Sequence, residues 1–137
     1  MEVCYYSDWK PLEDYRDITD STSPQYQFMY TNGSNQFVIQ DGLLIFDNEY
    51  IGVALGSRYG AIGTKYKITT DTGKEFKVVK IDEKSDEHTS NGCQDSSGAI
   101  IEFVVDTETM SNEVMFHGTY NADEQFNGVI IKMEKIK

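Results

Sequence analysis

Strand-type patterning dominates the chain. Tyr26, Phe28 and Tyr30 alternate with polar residues, and a period of two predicts a strand with one buried face. Asn32-Gly33 then reads as a tight hairpin turn, with Phe37-Val38-Ile39 as the answering strand. Beyond Asp41-Gly42, the apolar runs Leu43–Phe46 and Tyr50–Leu55 predict two more strands. Thr64–Thr70 alternates with period two, and Asp71-Thr72-Gly73 turns it into Phe76–Ile81. A polar loop from Asp82 to Gly98 leads to Ala99–Val105. Residues 107–112 leave room for one helical turn, and Val114–Phe116, Tyr120 and Gly128–Ile136 close the pattern. Apolar residues at helical spacing are found nowhere in the sequence.

Short strands punctuated by glycine turns every eight to twelve residues or so predict an all-β fold, a small barrel or a sandwich. The best-patterned strands follow residue 48. The sequence therefore divides into an N-terminal extension, 1–48, extended or hairpin-like and packed on the barrel through Trp9, Tyr5 and Tyr6, and a barrel domain, 49–137. A chain of 137 residues can bury one core without disulfide staples. Cys4 and Cys93 stand 89 residues apart, without the spacing of a zinc or thioredoxin-like motif. Two free thiols are the simpler reading, and a disulfide tying the arm to the barrel is the alternative.

Charge narrows the partners. The net charge is −11, with the excess of acid in the first 50 residues and after residue 100. Such a surface repels phosphate backbones and anionic lipid, which argues against nucleic-acid and membrane partners and leaves neutral ligands such as sugars, or basic partners. The first residues, Met1 to Trp9, lack the basic start and apolar middle of a signal peptide.

Candidate chemistry gathers between residues 50 and 106. Glu102 interrupts the apolar run Ile100–Val105, where a carboxylate is costly unless it is partnered or used. Asp106 lies on the same face of an extended strand, though it equally suits the cap of the turn Thr107-Glu108-Thr109. Asp82 closes the Phe76–Ile81 strand. His88 with Asp82 and Asp86 offers metal ligands, but one histidine in a polar loop is a weak site, and neither a metal nor a cofactor is expected. No nucleophile elbow surrounds Ser57, Ser96 or Ser97.

Over residues 50–110 the pattern resembles the 3D domain, a family named for three aspartates that folds as a small six-stranded double-psi β-barrel related to lytic transglycosylases and expansins. Gly63-Thr64-Lys65 before an alternating strand, Asp82 at the next strand's end, Gly98-Ala99-Ile100, Glu102 and Asp106 carry the resemblance. The second acid is Glu where the family has Asp. The resemblance implies peptidoglycan or another polysaccharide as partner, with Asp82 and Glu102 as the reacting pair and Asp106 orienting them. Tyr59, Thr64, Tyr66 and His88 would contact sugar. It also implies an extracytoplasmic or virion-associated setting beside a neighbouring domain.

Overall fold

The computed structural model describes residues 7–31, 37–90 and 92–137. Cys4, Tyr5, Tyr6 and the Asn32-Gly33 turn lie outside the described residues. The protein is mostly β. An eight-stranded mixed sheet runs in the order β1 (Leu12–Asp14), β9 (Glu102–Val105), β3 (Leu43–Phe46), β4 (Tyr50–Gly56), β6 (Glu75–Lys84), β5 (Lys65–Thr70) and β10 (Ile130–Ile136), with β2 (Phe37–Gln40) on β3. A separate hairpin pairs β7 (Thr89–Ser90) with β8 (Gln94–Asp95). β1 and β10, at the ends of the path, do not pair with each other.

Strand β4 is the hub. It is antiparallel to β3 and β9 and parallel to β6, and from Ile51 to Gly56 it is buried throughout. This is why Ile51–Leu55 reads as a continuous apolar run rather than an alternating one. Beyond β6, β5 alternates half-buried and buried residues, with Tyr66, Ile68 and Thr70 inward. The sheet draws β1 to β3 from the first 48 residues and the other strands from the remainder, so both segments share one core.

That core has two parts. The larger centres on Phe76, Phe103, Tyr120 and Phe126, whose rings contact one another, with Phe103 stacked on Tyr120 at 4.3 Å. The smaller holds Met29, Leu44, Phe46, Ala54, Val79, Ile81 and Val104. Cys93 is buried and disulfide-bonded, against the expectation of a free thiol. Lys65 and Lys77 pair with Asp47 and Glu49, tying β5 and β6 to acids from the first 50 residues.

Two segments expected as strands are helical. Pro24–Tyr30 forms α1 and Asn112–His117 forms α2. The Ser23 hydroxyl accepts from Tyr26 N at 3.1 Å, and Pro24 takes the first helical turn, where its missing N–H costs nothing. The alternation of Tyr26, Phe28 and Tyr30 misleads because Tyr26 and Tyr30 also meet at i,i+4, with ring centroids 4.5 Å apart, while Met29 is the residue buried. In α2 the Ser111 hydroxyl caps Val114 N, and Gly118 ends the helix at φ 72°, a left-handed conformation that costs glycine little. Helix formation thus begins only at the last residue of the 107–112 turn predicted from sequence. No helix among the described residues is long and apolar enough to cross a membrane.

Candidate functional site

Register brings the two principal acids together. Ala54 of β4 is the partner of Asp82 on β6 and of Glu102 on β9. Cross-strand partners project to the same face, so the two carboxylates flank one small side chain. A register shift between Val53 and Ala54 belongs to this arrangement, since Val53 pairs with Lys80 and Ala54 with Asp82. The extra residue on β6 re-aims the side chains beyond it.

A third carboxylate, which the sequence did not reveal, comes from β1. Glu13 pairs with Val104, two residues beyond Glu102 on the same face of β9. Its Oε1 is buried with no hydrogen-bond partner among the described residues, and Asp82 and Glu102 are close enough to raise its pKa. On a flat sheet β1 and β6 would be about 14 Å apart. Nearness of their carboxyls therefore requires the sheet to curl around this face, which carries the smaller core.

Asp82 Oδ1 accepts from Gln25 Nε2 at 3.3 Å and from Glu83 N at 2.8 Å. Burial, the hydrogen bond to Asp82 and the charges of Asp82, Glu102 and Asp17 push Glu13 up to about 9. Burial also raises Glu102; Lys84 opposes this, and the charges of Asp95 and Asp82 reinforce it. Lys84 is the cation within the cluster, donating to Asp95 Oδ2 at 3.1 Å and Ala99 O at 2.9 Å. Its own pKa is lowered, chiefly by burial. Burial works against charge on Asp95, but hydrogen bonds from Ser97, Lys84 and the Ala99 amide outweigh it and hold the carboxyl below the usual range.

Glu102 opens onto a groove of about 520 Å³ lined by Pro11, Glu87, His88, Thr89, Ser90, Asp95, Ser96 and Ser97. His88 is exposed on its wall. Asp82 opens instead onto a recess of about 230 Å³ beside Asp17, Asp20, Ser23 and Gln25. The two acids are thus neighbours across Ala54 that face different openings.

The other residues singled out in the sequence lie elsewhere. Asp106 is 6% exposed and holds the turn after β9, accepting from Arg16 at 2.7 Å, Glu108 N at 3.1 Å and Thr109 Oγ1 at 2.9 Å. The hydrogen bond from Arg16 leads in keeping its carboxyl below the usual range. It serves as a turn cap and not as a member of the Asp82–Glu102 pair. Tyr59 and Tyr66 are core residues, 0% and 1% exposed, with Tyr66 donating to Tyr59 O at 2.8 Å, so neither ring offers a face to a ligand. Thr64 is half-buried and donates to Ala61 O at 2.7 Å within the turn before β5. Among the described residues no group of three or more His, Cys, Asp and Glu side chains is arranged to hold a metal ion.

Glu13, Lys84 and Asp95 escaped the sequence reading. A three-residue strand has no periodicity to detect, and Lys84 and Asp95 sit at the two ends of a polar loop whose closure is not visible in sequence. Comparison with protein-family models, with curated proteins and with solved structures finds no match.

Proposed function

We propose that this protein cleaves cell-wall glycan with a carboxylic acid as general acid and base, on a six-stranded double-psi-like β-barrel. The observation that carries the reading is the placement of Glu102: raised by burial, beside Asp82 across Ala54, and open to a groove rich in hydroxyls.

In the proposed reaction, protonated Glu102 donates to the glycosidic oxygen as the anomeric C–O bond breaks. The resulting carboxylate then takes the proton of the sugar's own 6-hydroxyl, whose oxygen bonds to the anomeric carbon. One group serves as acid and then base, so no second carboxylate at a fixed separation is needed. Asp82, across Ala54, is a nearby charge that favours the neutral form of Glu102. Polysaccharide is the partner, with His88, Ser96 and Ser97 placed to contact it.

A second reading, a non-catalytic carbohydrate-binding or structural module of a phage or surface assembly, is favoured by the separate openings of Asp82 and Glu102. Incubation with purified peptidoglycan separates the two. The enzyme releases anhydro-muropeptides, Glu102→Gln abolishes the release, and Asp82→Asn reduces it. Binding to peptidoglycan without any released product supports the module.

A further inference from the structure

The chain's one tryptophan is not in the core. Trp9 is 38% exposed and lines a recess of about 320 Å³ with Glu113 and His117 of α2, Thr119, Asn121 and Ala122. Its Cη2 lies 3.9 Å from where a side chain on Gly118 would begin, so the indole rests against the end of α2. The backbone on either side of the recess is fixed: Lys10 N donates to Thr119 Oγ1 at 2.9 Å, and Tyr120 N donates to Lys10 O at 2.8 Å. The recess shares no lining residue with the groove at Glu102.

Its polar groups keep unused donors. Thr119 is 8% exposed, and its hydroxyl oxygen accepts from Lys10 N and from Asn121 N at 3.1 Å. Both lone pairs are thus taken, and the hydroxyl proton reaches no acceptor among the described residues. Asn121 Oδ1 is held in the same manner, by Lys10 Nζ at 3.2 Å and Gly128 N at 2.8 Å, which fixes the amide with Nδ2 as its other end. One Nδ2 proton reaches toward Asp8 Oδ2 at 3.5 Å, and the second is left over. Glu113 brings an acceptor: Oε1 meets His117 Nε2 at 3.1 Å, and Oε2 has no partner among the described residues.

We propose that this recess is a binding subsite for one neutral pyranose ring of a saccharide. An anion would meet Glu113 and Asp8. A cation would suit Trp9 and Glu113 but would face the donors of Thr119 and Asn121. A sugar uses all four groups. Its weakly positive C–H face lies on the negative face of an indole, and each of its hydroxyls both donates and accepts. The recess is at the small end of ligand pockets, about 300–1,000 Å³, which suits a single ring. Because Thr119 and Asn121 are already held in place, binding orders few side chains. The subsite stands whether or not the Glu102 groove cleaves glycan.

The fluorescence of Trp9, the sole tryptophan, reads the subsite directly. The full chain is titrated separately with cellotetraose, N-acetylchitotetraose and maltotetraose to about 20 mM, which covers the weak binding of a one-ring site. At least one of them should give a saturable change. Asn121→Asp keeps an oxygen for Lys10 and Gly128 but puts a negative oxygen in place of the Nδ2 donor, and should weaken that binding by about tenfold or more. Glu113→Ala removes the acceptor from an exposed position of α2 and should weaken it by about threefold to tenfold; it decides the matter should Asn121→Asp fail to fold. No response to any of the three sugars overturns the subsite, and so does a response that the variants leave unchanged. A larger response to tetramethylammonium than to every sugar overturns it in favour of a cation site. No bond cleavage is read, so failure here is distinct from failure of the peptidoglycan incubation.

Discussion

Lys10→Met removes a buried ammonium that donates to Asp8 O at 3.0 Å, Asn121 Oδ1 at 3.2 Å and Gly128 O at 2.6 Å. Two effects oppose each other. Gly128 O and Asp8 O lose a donor, and a buried acceptor left unpaired costs about 1–3 kcal/mol. Asn121 Oδ1 still receives Gly128 N at 2.8 Å, so its loss is small. Against this, burial lowers Lys10 from 10.5 to about 8, which at about 1.4 kcal/mol per pH unit penalises the ammonium by at most about 3 kcal/mol. Discounted for the hydration that reaches the ammonium end, this is about 1–2 kcal/mol. The variant should therefore be less stable at pH 7 by about 1–3 kcal/mol, a fall in Tm of roughly 4–10 °C. The pH dependence is the sharper test. Because the folded chain holds this proton less tightly than the unfolded one, the wild type gains stability from Lys10 as pH rises from about 8 to 10.5. The variant cannot, so the gap should widen by about 1–2 kcal/mol between pH 7 and pH 10. Urea denaturation of both proteins at the two pH values measures it, and groups that titrate in both chains cancel in the difference. A gap that narrows with pH, or a neutral substitution at both, refutes the account.

Two further outcomes follow from the same structure. Phe103→Ala should cost about 3–5 kcal/mol by urea denaturation, because the ring is 0% exposed and packs on Phe76, Tyr120 and Phe126; a loss under about 1 kcal/mol would show that the aromatic group does not organise the core. Glu13→Gln should be near neutral in stability at pH 4.5 and stabilising at pH 8. The folded chain keeps the Glu13 proton up to about 9, so the wild type loses stability as pH rises between 4.5 and that value while the variant does not; parallel stability curves would contradict this.

How far the sequence reaches depends on the length over which a pattern repeats. β4, β5 and β6 are six to ten residues long and were legible as strands, because burial on one or two faces imposes a period over several residues. α1 and α2 have seven and six residues, under two helical turns, and over so short a span aromatic alternation imitates a strand. Their capping residues, Ser23 with Pro24 and Ser111 with Gly118, were the better signal. Strand register sets Asp82 and Glu102 on either side of Ala54, though they face different openings rather than one cleft. Glu13 was not legible. It reaches Asp82 only because the sheet curls, and curvature is a property of many strands together rather than of any local segment.

Buried charges elsewhere in this protein are satisfied, and the contrast gives the carboxyl cluster its meaning. Lys80, 0% exposed, donates to Gly56 O, Gly60 O and Glu83 Oε1. Asp106 accepts from a guanidinium, a hydroxyl and an amide, and Lys10 has three acceptors. Each of these ties two segments together and is accounted for by the fold alone. Glu13, Asp82 and Glu102 are different: three acids meet on one concave face, one carboxyl oxygen is left unpartnered, and the single lysine among them is bound to a fourth acid. Apolar residues at position 13 or 102 would extend the smaller core next to Val104 and Ala54 at no electrostatic cost. The cluster thus works against the packing around it, where Lys80, Asp106 and Lys10 support it.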